Sequence, residues 1–256
     1  MNNLETNKIY CESNLETMSK MPKDFLDIVV TSPPYNITRK SSLTERYDIY
    51  EDNKSQKEYI DYSINLFNGF NRVLKKDSIV LYNMSYGNEN PNLMLFTITD
   101  VIRNTDFTLA DIIIWKKKSA TPNSVSHNKL TRICEYVFVL CRKSEYKTYK
   151  SNKKNVNTME SGQKVYENLF NFITADNNDE SNDINKATFS TEFVRKLLNI
   201  YAKSNSLVYD PFMGTGTTAK ACIIDKHSYI GSELSKKQVD YAEKRIKPYL
   251  AQTSLF

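Results

Sequence analysis

Two short stretches hold residue types that could do chemistry. The first, Thr31-Ser-Pro-Pro-Tyr-Asn36, follows the apolar run Ile28-Val29-Val30. Adjacent prolines cannot continue a paired strand, because each lacks an N–H and fixes φ. A plain turn would favour Gly, Asn or Asp. Here a hydroxyl (Ser32), the carbonyls of Pro33 and Pro34 and the ring of Tyr35 are held in one rigid arrangement. The second stretch, Asp210-Pro-Phe-Met-Gly-Thr-Gly-Thr-Thr218, follows Leu207-Val-Tyr209. A strand, a tight Gly-x-Gly turn and a helix bring backbone close to a nucleotide-like ligand. Glu233 stands about 20 positions further on, where an acidic side chain can bind ribose hydroxyls.

The glycine turn departs from the dinucleotide pattern. It lacks the third glycine, and Asp210 precedes it. A carboxylate there would repel a pyrophosphate but suit a cation. S-adenosylmethionine, an adenosine with sulfonium and ammonium charges, fits that description. The plainer alternative is a tight β–α turn with a structural aspartate. Likewise Ser32 could be an ordinary turn serine and Tyr35 an edge aromatic.

The elements that must position these stretches are legible as patterns. Apolar runs at 27–30, 78–82, 111–115, 136–140, 207–212 and 229–231 read as strands buried on both faces. Ile60, Ile64, Phe67, Phe70 and Leu74 recur at helical spacing, as do Phe193, Leu197, Leu198 and Tyr201. A third helix is expected after Thr215 and a fourth over 235–249, with Ser235 as its N-cap. Alternating β and α elements predict an α/β fold, a doubly wound and mainly parallel sheet. The interval 116–183 breaks the rhythm and, apart from the run at 136–140, reads as polar and irregular.

Composition narrows the class. Hydrophobic residues make up 40% and charged residues 25% of the chain, an ordinary soluble balance. No apolar run approaches membrane-spanning length, and no signal pattern opens the chain. Cys11, Cys134, Cys141 and Cys222 are scattered and there are two histidines, so no cysteine/histidine metal site is expected. Reduced thiols and a cytoplasmic setting follow. The interval 116–164 carries twelve Lys/Arg against three Glu, a net +9 in a chain of net +5. That asymmetry suggests a polyanion partner, with a solvated loop as the alternative.

Taken together, the motifs carry a family resemblance. Thr-Ser-Pro-Pro-Tyr resembles the catalytic tetrapeptide of amino-methylating DNA methyltransferases, and Asp-Pro-Phe-Met-Gly-Thr-Gly resembles their S-adenosylmethionine motif. Catalytic motif first and cofactor motif last resembles the β-group, a circular permutation of the methyltransferase fold. Residues 185–198, with Ala187, Thr188 and Phe189, look like the motif preceding the glycine loop. Residues 9–18 resemble the strand end whose acidic residue meets the adenine; Glu12 stands where aspartate is usual.

The resemblance implies helices on both faces of the sheet and an antiparallel final hairpin. It implies a catalytic and cofactor domain over 1–115 and 184–256, with a target-recognition insertion over 116–183. The cofactor would be held by Glu12, Ser32, the 187–189 motif, Asp210, Pro211, Phe212, Gly214, Gly216, Thr217 and Glu233. Lys116, Lys117, Lys118, His127, Lys129 and Arg132 would face double-stranded DNA. A cognate restriction endonuclease and a homodimer are compatible partners.

The chemistry asks for these residue types. An exocyclic amine is a poor nucleophile, because its lone pair is delocalised into the ring. Ser32 Oγ and the Pro33 carbonyl would accept its N–H bonds and favour pyramidalisation. A base in a duplex must be flipped out to reach them, and Tyr35 would stack on it. No Pro-Cys dipeptide occurs, which argues against carbon-5 cytosine methylation through a cysteine nucleophile. In the resembling family, serine at the first motif position goes mostly with cytosine N4 and aspartate with adenine N6, so the resemblance implies cytosine. The competing readings are a nucleic-acid-binding protein that lost the chemistry and a methyltransferase acting on RNA or a protein glutamine.

Overall fold

The computed structural model describes residues 4–36, 54–87, 90–124, 127–179 and 188–253. Ten strands and six helices follow one another along the described chain. They are β1 (Lys8–Tyr10), α1 (Asn14–Lys20), β2 (Leu26–Thr31), α2 (Gln56–Val73), β3 (Leu74–Met84), α3 (Leu93–Asn104), β4 (Phe107–Lys117) and β5 (Cys134–Arg142). Then come β6 (Asn155–Thr158), β7 (Lys164–Tyr166), β8 (Phe172–Ala175), α4 (Thr191–Tyr201), β9 (Leu207–Asp210), α5 (Thr217–Ile224), β10 (Ser228–Ser232) and α6 (Lys236–Thr253).

Eight strands form one sheet in the order β1-β10-β9-β2-β3-β5-β4-β8. All neighbours are parallel except β5, which runs antiparallel to both β3 and β4. β4 and β5 form an antiparallel hairpin inside the chain, where the resemblance implied a final one. The strands are buried on both faces because their side chains alternate between two cores. Ile28, Val30, Ile79, Leu81, Val137, Val139 and Val208 face one core, shared with α4, α5 and α6. Val29, Val80, Tyr82, Phe138, Leu140 and Tyr209 face the other, shared with α1, α2 and α3. A period-2 alternation of apolar side chains on both faces is what a sheet covered by two helical layers requires.

The helix starts follow from local chemistry. Ser55 and Glu58 form a reciprocal capping box at α2. The hydroxyls of Ser13 and Ser190 cap α1 and α4. Ser235 Oγ accepts from Gln238 N at 3.2 Å, the N-cap expected from the sequence.

Three expectations need adjustment. The helix expected to include Leu74 ends at Val73, and Leu74 opens β3. The run 207–212 leaves strand geometry after Asp210. Beyond the expected strand at 136–140, which lies within β5, the interval 116–183 also contributes β8 to the main sheet and forms the small β6–β7 hairpin. β6 is exposed at every position, so it has no apolar alternation to reveal it.

An edge-on aromatic cluster fills part of the core shared with α1, α2 and α3. The Phe67 ring meets Phe70 at 5.2 Å and Tyr82 and Phe107 at 5.3 Å, all edge-on. Phe67 is fully buried. Phe67→Ala is expected to lower unfolding free energy by about 3–5 kcal/mol, read from the denaturant midpoint. A loss under about 1 kcal/mol would mean that this cluster is loosely packed.

Candidate active site

The carboxyl ends of the parallel strands lie along one sheet edge, where an α/β fold places its ligands. β2 and β9 are neighbours there, with Ile28 opposite Val208 and Val29 opposite Tyr209. The Ser-Pro-Pro-Tyr loop after β2 and the Gly-x-Gly loop after β9 therefore emerge side by side.

Asp210 ties them together. One carboxylate oxygen accepts from Thr31 Oγ1 at 2.8 Å and from Phe212 N at 3.0 Å. The other accepts from Thr218 Oγ1 at 2.6 Å, in the first turn of α5. The residue is 1% exposed. Burial raises its pKa to about 6, against the pull of the Thr218, Phe212 and Thr31 bonds.

Asp210 does not line the cavity beside it. Its carboxylate points back under the loop and clasps β2, the turn and α5. Gly216 also lies behind the cavity. Its φ is +82°, and a Cβ there would come within 2.8 Å of Ala242 Cβ on α6, so glycine lets the two helices approach.

The cavity has a volume of about 330 Å³. The glycine loop lines it through Pro211, Phe212 and Gly214, α5 through Thr217, and the segment after β10 through Glu233. Thr188 and Phe189 close one side, Glu12 another, and Ser32 and Pro34 a third. Ala187 lies outside the described residues. The two motif loops thus share one chamber.

Two carboxylates face into it. Glu233 accepts from Gly214 N and from Ser235 N, each at 2.9 Å, which fixes it across the glycine loop. Glu12 accepts from Thr17 Oγ1 at 2.9 Å and pairs with Lys20. Burial works against its charge, but the Lys20 and Thr17 bonds outweigh it and hold the carboxyl below its usual pKa.

The catalytic-motif loop is pinned from several sides. The Pro34 carbonyl accepts from Tyr59 Oη at 2.7 Å. Among the described residues no hydrogen bond to the Pro33 carbonyl is seen. Asn36 takes a left-handed φ of 53° and donates to the Lys54 carbonyl at 2.6 Å. Ser32 Oγ lies 3.1 Å from Tyr35 Oη.

Several site residues escaped the sequence reading. Asn83, at the end of β3, donates to Tyr35 Oη at 3.1 Å and to Glu135 at 2.8 Å. Glu135, at the start of β5, accepts from Tyr35 Oη at 2.9 Å and pairs with Lys117. Asn14 donates to the Pro211 carbonyl at 3.2 Å. A polar Asn83 breaking the apolar run of β3 at its carboxyl end was the readable signal; Glu135 had none, because its partners are distant in sequence.

The candidate polyanion-binding residues divide. Lys117 pairs with Glu135 and sits 5.1 Å over the Trp115 ring. Lys118 pairs with Asp176 at 3.1 Å and Glu192 at 3.4 Å. Arg132 lies 4.8 Å over the Tyr86 ring and donates to the Tyr86 carbonyl. Lys116, His127 and Lys129 are exposed.

A chamber joining a glycine loop to a Ser-Pro-Pro-Tyr loop, on a permuted α/β sheet, is the arrangement of an amino-methyltransferase. Residues 26–244 match the DNA methylase family that groups N6 and N4 methyltransferases, and the chain belongs to that family. The orphan methyltransferase M.BamHII of Bacillus amyloliquefaciens is 28% identical, over 88% of this chain and 90% of its own. The fold is similar to that of the PvuII cytosine-N4-specific DNA methyltransferase, with a TM-score of 0.72 and 19% identity over 96% of this chain and 91% of that one. It is also similar to M1.HpyAVI in complex with SAM, with a TM-score of 0.65 and 18% identity over 93% and 98% of the two chains.

Asp210 gives a pH signature. A carboxyl whose folded pKa lies above its unfolded value stabilises the fold at low pH, and that contribution fades as pH rises through about 6. Measured against Asp210→Asn by urea unfolding, the native protein is expected to gain roughly 2–3 kcal/mol between pH 7 and pH 4. A pH-independent difference between the two would contradict a buried, clasping carboxylate.

Proposed function

We propose that the protein transfers a methyl group from S-adenosylmethionine to the N4 amine of a cytosine flipped out of duplex DNA. The observation that carries this reading is the single chamber lined by both Ser32 and the glycine loop. Its volume of about 330 Å³ lies in the range of small-molecule sites. Its two carboxylates, with the apolar faces of Phe189 and Phe212, fit an adenosine bearing positive charge. Glu233 would hold the ribose hydroxyls, Glu12 the adenine amino group, and the 188–189 and 211–214 backbone the remainder. When bound, S-adenosylmethionine supplies an electrophilic methyl group for direct displacement. The M1.HpyAVI neighbour's complex with SAM supports the same choice.

The protein's own part is positioning. Ser32 Oγ and the Pro33 carbonyl accept the two amine N–H groups and turn the nitrogen lone pair toward the methyl donor. The prolines hold that carbonyl before substrate arrives, and Tyr59 locks the next one. The Tyr35 ring would stack on the extruded base. A neutral serine hydroxyl at the first motif position favours cytosine N4, and the PvuII neighbour carries that specificity in its name.

Nucleoside mass spectrometry of DNA treated with protein and S-adenosylmethionine tests the reaction. N4-methylcytosine is the expected product. N6-methyladenine alone would overturn the base assignment and keep the enzyme class, and methylation of RNA alone would overturn the substrate.

The exposed cations are expected to meet phosphate. Replacing Lys116 and Lys129 by alanine should flatten the slope of log K against log salt by about 0.9 per lost phosphate contact. An unchanged slope would make this stretch a solvated loop.

A further inference from the structure

The amine-methylation reading requires Ser32 to offer a lone pair, yet a serine hydroxyl can equally donate. Something must dictate where its hydrogen goes. The geometry around it supplies an answer that the catalytic motif alone does not contain.

Four side chains from four separate segments meet behind Ser32. Tyr35 Oη lies 3.1 Å from Ser32 Oγ and 2.9 Å from Glu135 Oε2. Asn83 Nδ2 lies 2.8 Å from the same carboxylate oxygen, 3.1 Å from Tyr35 Oη and 3.4 Å from Ser32 Oγ. Lys117 Nζ pairs with the other carboxylate oxygen. Asn83 is 2% exposed, and the Glu135 and Lys117 side chains are 12% and 25% exposed. A carboxylate this shielded is tolerable because a cation and hydrogen bonds compensate it.

The hydrogen count then fixes a direction. An ionised carboxylate only accepts, so the single Tyr35 hydroxyl hydrogen points to Glu135. One Asn83 Nδ2 hydrogen also goes to Glu135, and the other lies between Tyr35 Oη and Ser32 Oγ. Tyr35 Oη is left as an acceptor toward Ser32. The Ser32 hydrogen therefore turns to Tyr35, and with Asn83 Nδ2 as far as 3.4 Å away, Ser32 Oγ still offers a lone pair to a substrate N–H.

We propose that Glu135 is a positioning residue for methyl transfer: it polarises the chain Ser32–Tyr35–Glu135 so that Ser32 acts as an acceptor. Lys117 holds the carboxylate in place, and Asn83 braces the chain from β3. The inference rests on the amine-methylation reading of the site and adds a residue from β5, a hundred positions from the catalytic motif. Glutamine at 135 would reverse the logic. Its amide oxygen would be drawn to Lys117, turning its NH2 toward Tyr35 Oη and the Asn83 Nδ2. Donor would face donor, and the Tyr35 hydrogen would swing onto Ser32, filling the lone pair the amine needs.

The test compares wild type, Glu135→Gln, Tyr35→Phe and the double variant in steady-state methylation of duplex DNA, with S-adenosylmethionine affinity measured by calorimetry. Tyr35→Phe keeps the ring and cuts the chain. Each single variant is expected to lose roughly 10–100-fold in kcat, with KM for both substrates and cofactor affinity unchanged. The double variant is expected to be no worse than Tyr35→Phe alone, because Glu135 acts only through that hydroxyl. Full kcat in Tyr35→Phe overturns the proposal, whether or not Glu135→Gln folds. Losses that multiply in the double variant, or a loss confined to KM, overturn it too and make Glu135 a packing or binding residue. Absence of any methylated base with the wild-type protein would instead overturn the underlying amine-methylation reading, and this inference with it.

Discussion

A buried carboxylate joins the two halves of the site. Asp210 sits at the end of β9, takes a hydrogen bond from Thr31 at the end of β2, and holds the first turn of α5 through Thr218. The residue after Thr31 is the Ser32 hydroxyl, and the residues after Asp210 open the glycine loop. Side-by-side parallel strands bring the two loops to one edge, and this clasp sets how far apart they stand. The neighbouring N-terminus of α5 adds a favourable field for a negative charge. Burial still opposes ionisation, as the raised pKa shows. The chamber is therefore shaped by a group that does not line it.

Legibility in the sequence followed the distance between partners. Ser32, Pro33, Pro34 and Tyr35 are consecutive, so the role proposed for them could be read directly from the motif. The glycine loop and Glu233 were legible for the same reason, since strand, turn and helix are one local unit. Asp210 was visible, but its clasp on β2 and α5 was not. Strand alternation was the neglected clue, because Asp210 lies two residues after Val208, which faces the α4–α6 core. Side chains of that parity point under the loop and toward α5, not into the cleft. Asn83, Glu135 and Lys117 were illegible as partners, because only the pairing of β3 and β4 with β5 brings them behind Tyr35.

Charge patterning shows a similar limit. The net +9 of the 116–164 interval suggested a row of free cations. Folding consumes several of them internally: Lys117 on Glu135, Lys118 on Asp176 and Glu192, Arg142 on Glu145. Such pairing organises the β4–β5 region against the catalytic loop and leaves fewer cations for a polyanion. Composition reports net charge, while the number of phosphates that can be met depends on which ammonium groups remain solvated. Strand β8 was missed for a related reason. Its alternation, exposed-buried-exposed-buried, spans only four residues and gives too short a pattern to stand out.

The central claim is that the two motif loops share one ligand chamber and that Asp210 organises it from behind. A crystal structure with S-adenosylhomocysteine bound tests this most directly. The expected result is ligand density between Glu12, Glu233 and Phe212, with the sulfur facing Ser32 and the Asp210 carboxylate still on Thr31, Phe212 N and Thr218. A ligand bound elsewhere, or an Asp210 carboxylate turned out of its clasp to meet the ligand, would contradict the account.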